Sequence, residues 1–244
     1  MFASTGAQLH YALDRPSGRG PFPAVVIGHG AGRTTKDEGA PHVPFWRDLG
    51  FAVLRYDKRG VGRSTGTYRG LSAANSSEVV SELAGDMLAG VEFLRSQPDI
   101  DAGSVGLMGV SQAGWIMVAA AARSDDVRFF VAVVGSAMPV GTNIYYESLR
   151  ELPIDEAYSR LATFAGPPGF DPLPALETTT APGLWLLGEV DRLVPTRACV
   201  PRLASLETAS RQVVRSYGTF GHELSGSTVY WSDLANWLRT EGLP

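Results

Sequence analysis

Residues 107–114 read Leu107-Met108-Gly109-Val110-Ser111-Gln112-Ala113-Gly114, and they hold one serine between small residues. The stretch follows an apolar, strand-like run that ends at Met108, and it precedes a helix-like run from Trp115 to Ala122. A strand, a sharp turn and a helix in this order form a nucleophile elbow, which pushes a serine side chain out of the fold. Gly109 and Ala113 are small enough for the neighbouring backbone to approach the serine, although a strict Gly-x-Ser-x-Gly pattern has glycine at the second position.

The elbow pattern is weak evidence alone, because a serine in a glycine-rich turn more often serves the turn itself. The residues that follow later strands strengthen it. An apolar run from Leu184 to Leu187 precedes Asp191, and a strand-like run from Gln212 to Tyr217 precedes His222. A serine, an acid and a histidine therefore follow successive predicted strands. Ligands bind at that edge of open α/β sheets, so we expect the three side chains to meet there.

Length and composition fit one domain with a full core. The chain has 244 residues, 44% of them hydrophobic, and a formal net charge of -4, which argues against nucleic acid as the main partner. No run is long enough to span a bilayer, and Met1 to Gly20 has no apolar signal region, so we expect no membrane insertion and a cytoplasmic protein. Cys199 is the only cysteine and the histidines are scattered, which predicts no disulfide, no metal site and no cofactor.

Apolar runs alternate with segments of helical period along the chain. Residues Ser77 to Ser96 carry apolar side chains at three- and four-residue spacing, and Ser227 to Thr240, which includes Val229, repeats the pattern. Near-continuous runs of Val, Leu and Ile are typical of parallel strands that are covered on both faces. The pattern predicts an α/β fold on a mostly parallel, doubly wound sheet. The candidate strands are Leu9–Leu13, Ala24–Ile27, Phe51–Tyr56, Val105–Met108, Phe129–Val134, Leu184–Leu187 and Val213–Tyr217.

The segment from Pro139 to Pro182 separates two predicted strands by more residues than a crossover needs. Its first half, Asn143 to Phe164, has the character of short helices. One interpretation is a crossover helix with a long loop, whose aromatic side chains belong to the core. The alternative is a small cap over the serine, in which Tyr145 and Tyr146 shape an apolar acyl pocket.

Two further stretches complete a resemblance to a known superfamily. Residues Val26 to Gly32 read Val-Ile-Gly-His-Gly-Ala-Gly after an early strand, and Phe51 to Gly66 contains Tyr-Asp-Lys-Arg-Gly-Val-Gly-Arg-Ser after the next. With the elbow, Asp191 and His222, these motifs resemble the α/β-hydrolases, specifically small bacterial esterases related to the prolyl oligopeptidase and dienelactone hydrolase groups. The resemblance implies one α/β-hydrolase domain over residues 1–244, with 139–182 as a small cap insertion.

The chemistry of such a site gives each residue a role. Ser111 would attack a carbonyl carbon, and His222 would take its proton and return it to the leaving group. Asp191 would hold the histidine tautomer and stabilise the imidazolium. Glu189 is a competing acid two residues upstream, but the Asp-x-x-Val-Pro context favours Asp191.

The tetrahedral intermediate also needs two donors for its oxyanion. The elbow supplies the backbone N–H of Gln112, and the turn after the early strand supplies that of Ala31. We interpret His29, beside that turn, as a structural imidazole. The polar residues of the next loop are expected to stabilise that loop rather than to react; they are Asp57, Arg59 and Ser64.

Three functions remain open on this evidence. The first is a serine carboxylesterase that acts on small to medium acyl esters, with a small-molecule ester as the partner. The second is another reaction of the same triad: amide or peptide cleavage, thioester hydrolysis or acyl transfer. The third is a binding protein that has the fold without catalysis, which the filled triad positions disfavour.

Overall fold

The computed structural model describes residues 1–243. Within them the chain forms nine β-strands and eight α-helices. The strands are β1 (Phe2–Ser4), β2 (Ala7–Leu9), β3 (Tyr11–Asp14), β4 (Phe22–Gly28), β5 (Ala52–Tyr56), β6 (Ile100–Val110), β7 (Phe130–Val133), β8 (Gly183–Gly188) and β9 (Gln212–Tyr217). The helices are α1 (Val43–Asp48), α2 (Ser76–Arg95), α3 (Ala113–Ala121), α4 (Val140–Ser148), α5 (Ile154–Leu161), α6 (Leu173–Thr178), α7 (Thr196–Ala204) and α8 (Trp231–Thr240).

Seven strands form one sheet in the order β3-β5-β4-β6-β7-β8-β9. Strand β3 runs antiparallel to β5, and every other pair in this sheet is parallel. Each parallel connection crosses over through helices, which cover both faces and explain the unbroken apolar runs of the central strands. The predicted α/β fold with a mostly parallel sheet is confirmed.

Two apolar layers hold the helices on the sheet. Side chains of α2, α3 and α7 pack on one face, where Met87, Met117 and Trp185 are almost fully buried. Helices α1 and α8 cover the other face around Trp46 and Trp237. Every residue of α3 is buried, as expected for a helix that is apolar on all sides. Among the described residues, none of the helices combines the length and the apolar character needed to cross a membrane.

Two predicted boundaries are wrong. The candidate strand Leu9–Leu13 divides between β2 and β3, and β1 pairs with β2 in a separate two-stranded sheet. Helix α8 begins at Trp231 rather than at Ser227, where the predicted segment starts, so Val229 lies outside the helix and is 43% exposed. An apolar residue at helical spacing was therefore mistaken for part of the buried face.

The segment from Pro139 to Pro182 contains α4, α5 and α6 between β7 and β8. Helices α4 and α5 pack together through a small apolar cluster that includes Tyr146, Leu149 and Leu161. The expectation of short helices between Asn143 and Phe164 is confirmed. The segment lies after the carboxyl end of β7, at the same sheet edge as the ends of β6, β8 and β9.

Candidate active site

Ser111 follows β6 at a sharp turn and has a left-handed backbone, with φ of 55°. A non-glycine residue rarely adopts this conformation, and such strain recurs at functional sites. The Ser111 N–H donates to the Val133 carbonyl of the next strand at 3.0 Å, which fixes the turn on the sheet. The elbow predicted from the sequence is therefore present in the structure.

Two glycines explain why the elbow tolerates alanine at position 113. A Cβ added to Gly109 would lie 2.3 Å from the Cβ of Ala113, so the space that Ala113 fills is the one that Gly109 leaves open. A Cβ on Gly114 would lie 3.0 Å from Gly135 Cα, where α3 approaches the chain after β7. The close helix approach thus depends on Gly114, one position later than in the strict pattern.

Asp191 and His222 follow β8 and β9 and are directly paired. The Asp191 side chain is buried, and its Oδ2 lies 2.9 Å from His222 Nδ1. The other oxygen, Oδ1, accepts hydrogen bonds from the backbone N–H groups of Leu193 at 2.7 Å and Val194 at 2.9 Å. These donors fix the orientation of the carboxylate toward the imidazole.

Glu189, the competing acid, lies elsewhere. Its side chain is exposed and approaches the backbone at Gly218. Within residues 1–243 it forms no hydrogen bond or ion pair with His222. Of the two carboxylates considered from the sequence, the structure brings Asp191 to the histidine.

One pocket of about 580 Å³ contains both Ser111 and His222 in its wall. Ala31 and Gln112, the predicted oxyanion donors, line the same pocket, and neither backbone N–H donates to a protein acceptor within the described part of the chain. The remaining wall is mixed. It includes the apolar residues Leu71, Val110, Trp115, Ile144, Leu193 and Val194 and the polar residues Glu38, Tyr68, Ser136, Asn143, Glu147 and Ser225.

The prediction that Tyr145 and Tyr146 line the acyl pocket is wrong. Tyr146 is 1% exposed, and its hydroxyl donates to the Asp191 carbonyl at 2.9 Å. The Tyr145 ring stacks on Phe164 with 4.7 Å between ring centroids. Neither belongs to the pocket wall, which α4 reaches through Asn143, Ile144 and Glu147 instead. The helix was predicted, but its rotation was not.

His29 is structural, as interpreted from the sequence. Its buried ring donates from Nε2 to the Tyr56 carbonyl at 2.5 Å. Burial, and next the charge of Lys58, lower the pKa of His29 to about 4, so that the ring is neutral at pH 7. The loop after β5 is also held internally: Asp57 accepts from the Arg63 N–H at 2.9 Å, and the Ser64 hydroxyl donates to the Asp57 carbonyl at 2.6 Å. Farther out, Arg59 forms a buried ion pair with Asp86.

The sequence analysis missed Lys58. Its side chain is 1% exposed, and its ammonium donates to the Gly30 carbonyl at 2.7 Å, the Gly32 carbonyl at 3.0 Å and the Gln112 Oε1 at 3.2 Å. The signal available in the sequence was a lysine two residues after the end of a predicted strand, between Asp57 and Arg59. Three adjacent charged residues are typical of an exposed loop, whereas the Lys58 side chain is buried.

A family model and a curated relative are each similar to part of this chain. The family model of X-Pro dipeptidyl-peptidase (S15 family) matches residues 5–151, which include Ser111 and end before Asp191 and His222. Thiohydrolase aneE of Aspergillus aculeatus is 33% identical over 112 residues, which are 46% of this chain. The match spans 33% of that curated relative's length.

Several solved structures share the fold. The α/β-hydrolase GrgF from Penicillium sp. sh18 has a TM-score of 0.72 at 19% identity, and the match covers 99% of this chain and 96% of that chain. An esterase of Pyrococcus furiosus has a TM-score of 0.69 at 17% identity, covering 99% and 89% of the two chains. The acylaminoacyl peptidase of Pyrococcus horikoshii has a TM-score of 0.71 at 17% identity, covering 98% of this chain and 40% of that one. These solved structures share the α/β-hydrolase fold with the chain, and because the family model matches more than half of its length, the chain belongs to the X-Pro dipeptidyl-peptidase (S15) family.

Proposed function

We propose that the protein is a serine hydrolase that cleaves small to medium carboxylic esters through an acyl-enzyme intermediate. The observation that carries the proposal is the 2.9 Å contact of buried Asp191 with His222, at a pocket whose wall also includes Ser111. A weak nucleophile, a base and an orienting acid are the three groups that acyl transfer by a serine requires.

The reaction follows from the contacts of each group. The Asp191 carboxylate accepts the Nδ1–H of His222, which leaves Nε2 as the base that takes the Ser111 proton. The Ser111 oxygen attacks the ester carbonyl, and the N–H groups of Ala31 and Gln112 stabilise the oxyanion. Collapse of the intermediate expels the alcohol, which receives the proton from His222. Water then repeats the sequence on the acyl-enzyme and releases the acid.

The pocket supports substrates of modest size. A volume of about 580 Å³ is within the range of small-molecule sites. Trp115 and Leu71 offer apolar surface to an acyl chain, while Asn143 and Glu147 make part of the wall polar. Because α4 supplies one side of the pocket, we also propose that residues 139–182 act as a small cap over the site.

Two other reactions of the same triad have specific support. The partial similarity to a thiohydrolase favours thioester hydrolysis as the second candidate. Membership of a family named for X-Pro dipeptidyl-peptidases favours peptide cleavage as the third. All three reactions pass through an acyl-enzyme on Ser111, so they differ in the leaving group rather than in the machinery.

Two measurements test the proposal. A fluorophosphonate probe should label the wild-type protein and Ser136→Ala, which changes another hydroxyl of the pocket, but not Ser111→Ala. Absence of labelling in the wild type would remove the serine-hydrolase proposal. Initial rates on p-nitrophenyl esters of graded chain length, matched thioesters and an X-Pro p-nitroanilide then rank the leaving groups. A kcat/KM that is highest for the thioester or the anilide would replace the esterase by the second or third candidate.

A further inference from the structure

Lys58 is a buried cation beside the pocket, and it does not belong to the pocket wall. A lysine ammonium has three donors. In this structure all three have acceptors: the carbonyls of Gly30 and Gly32 and the side-chain oxygen of Gln112. Burial of a charged group is costly unless it is hydrogen-bonded in this way, so the three contacts explain how the lysine can be accommodated.

The acceptors of Lys58 belong to both halves of the candidate oxyanion hole. Gly30 and Gly32 flank Ala31, whose N–H is the first candidate donor. Gln112 carries the second candidate donor on its backbone and offers its side-chain Oε1 to the same ammonium. One cation therefore connects the loop after β4 with the turn after β6, two segments that are far apart in sequence.

Charged and aromatic groups surround the Lys58 ammonium. The Glu38 carboxylate accepts from the Gly30 N–H at 3.3 Å and attracts the ammonium. The neutral ring of His29 is close enough to be affected by the ammonium, and the Tyr68 ring centre is 5.9 Å from Lys58 Nζ. The guanidinium of Arg33 covers the same ring at 5.2 Å. Burial lowers the pKa of Lys58 to about 8, against the opposing effect of Glu38.

We propose that Lys58 is a positioning residue that sets the separation of the two oxyanion donors, Ala31 N–H and Gln112 N–H. The inference rests on the proposed triad chemistry and adds to it a group that touches neither substrate nor the reacting atoms. The half that carries Ala31 lies between Gly30 and Gly32, so its own backbone constrains it weakly, whereas the turn that carries Gln112 is fixed on the sheet. The ammonium supplies this constraint because it binds both halves.

The first test replaces Lys58 by methionine, which keeps the length of the side chain and removes its donors. On the ester that the wild type hydrolyses best, Lys58→Met should lower kcat by about 10²-fold, because one oxyanion donor is misplaced, while KM changes by less than about threefold. The inhibition constant of a trifluoromethyl ketone with the same acyl group should rise in parallel, since its tetrahedral adduct occupies the oxyanion hole. Binding of the product acid should not change.

Lys36→Met is the matched control. Lys36 is a nearby lysine whose ammonium lies 3.7 Å from Asp57 and, within residues 1–243, forms no hydrogen bond or ion pair with either oxyanion loop. Its replacement removes the same charge from the same side of the protein, and kcat should remain within about twofold of the wild type. An equal loss of kcat in both variants would show that net charge matters and would overturn the positioning role.

A second variant keeps the inference testable if Lys58→Met does not fold. Gln112→Leu retains the backbone donor and removes the acceptor that joins the two halves. Its kcat should fall and its ketone inhibition constant should rise by a common factor. Where both variants fold, the double variant should lose less than the product of the single losses, because both interrupt one bridge.

The pH profile gives a readout that a purely structural lysine would not affect. Above about pH 8 the wild-type ammonium loses a proton, so one of the three acceptors loses its donor and kcat/KM should decline. Lys58→Met should lack this alkaline decline at its lower plateau. If the wild type is labelled by the fluorophosphonate but Lys58→Met keeps full kcat and ketone affinity, the Lys58 inference fails alone. If the wild type is not labelled, the proposed function fails first.

Discussion

Replacement of Asp191 by asparagine tests the orientation of His222. The two oxygens of Asp191 have different partners: Oδ1 accepts from the N–H groups of Leu193 and Val194, and Oδ2 faces His222 Nδ1. An asparagine can keep both backbone bonds only if its oxygen takes the Oδ1 position. Its NH₂ then points at the imidazole, and the reverse orientation would place that NH₂ against two N–H donors.

The backbone N–H groups of Leu193 and Val194 thus favour the asparagine orientation that places its NH₂ against His222. With a donor opposite Nδ1, His222 must place its proton on Nε2, and it cannot accept the proton of Ser111. A wrong tautomer of this kind lowers kcat by about 10⁴-fold, or about 5 kcal/mol of transition-state stabilisation. Stability should change less, because the asparagine preserves volume and both backbone hydrogen bonds.

The assay is kcat on the best p-nitrophenyl ester, together with urea unfolding of each variant. Glu189→Gln is the control, since that exposed carboxylate has no contact with His222 within residues 1–243 and its kcat should stay within about twofold. The reverse ranking would show that Glu189 is the acid. An Asp191→Asn kcat within tenfold of the wild type, at unchanged stability, would refute the tautomer argument.

Three further outcomes are expected. The pKa of His29 is about 6.5 in the unfolded chain and about 4 in the folded protein. The free energy of unfolding should therefore decrease as the pH is lowered from about 6.5 to about 4, by at most about 3 kcal/mol. Urea titrations at both ends of the window should show a smaller fall in His29→Gln. Gly109→Ala should destabilise the folded protein by about 1–3 kcal/mol, because the added Cβ would overlap that of Ala113. The variant should therefore unfold at a lower urea concentration than the wild type. Tyr146→Phe should cost about 1 kcal/mol through loss of the bond to the Asp191 carbonyl, and an unchanged urea midpoint would contradict that.

The placement of Ser111, Asp191 and His222 at one edge of the sheet could be predicted because it depends on topology. In a parallel sheet all strands end at one edge, so residues that follow β6, β8 and β9 converge whatever the loops between them do. Ser111, Asp191 and His222 each come within a few residues of such an end. Only the choice between Asp191 and Glu189 needed a longer pattern, the Val-Pro that follows the aspartate.

The wall of the pocket could not be predicted in the same way. Its composition depends on how α4 is rotated, and a nine-residue helix with polar and apolar residues on several sides gives no single buried stripe. Tyr145 and Tyr146 are large and apolar, so both were expected to face the ligand. The burial of Lys58 could not be predicted because a charged residue in a loop is normally exposed. Its three acceptors are backbone and amide groups, which no pattern of residue types identifies.

Different sides of α4 line the pocket and contact the loop that carries Asp191. At 3.6 residues per turn, Asn143, Ile144 and Glu147 share the side that lines the pocket, and Tyr146 projects toward the loop that carries Asp191. On the pocket side, the Asn143 amide additionally donates to the Leu193 carbonyl at 3.1 Å, so that this loop is held at two points. A change at exposed Ile144 can alter the pocket wall without loosening either point, whereas a change at Tyr146 acts on the acid. The composition of the pocket wall and the support of Asp191 are therefore separable on α4, although one helix contributes to both.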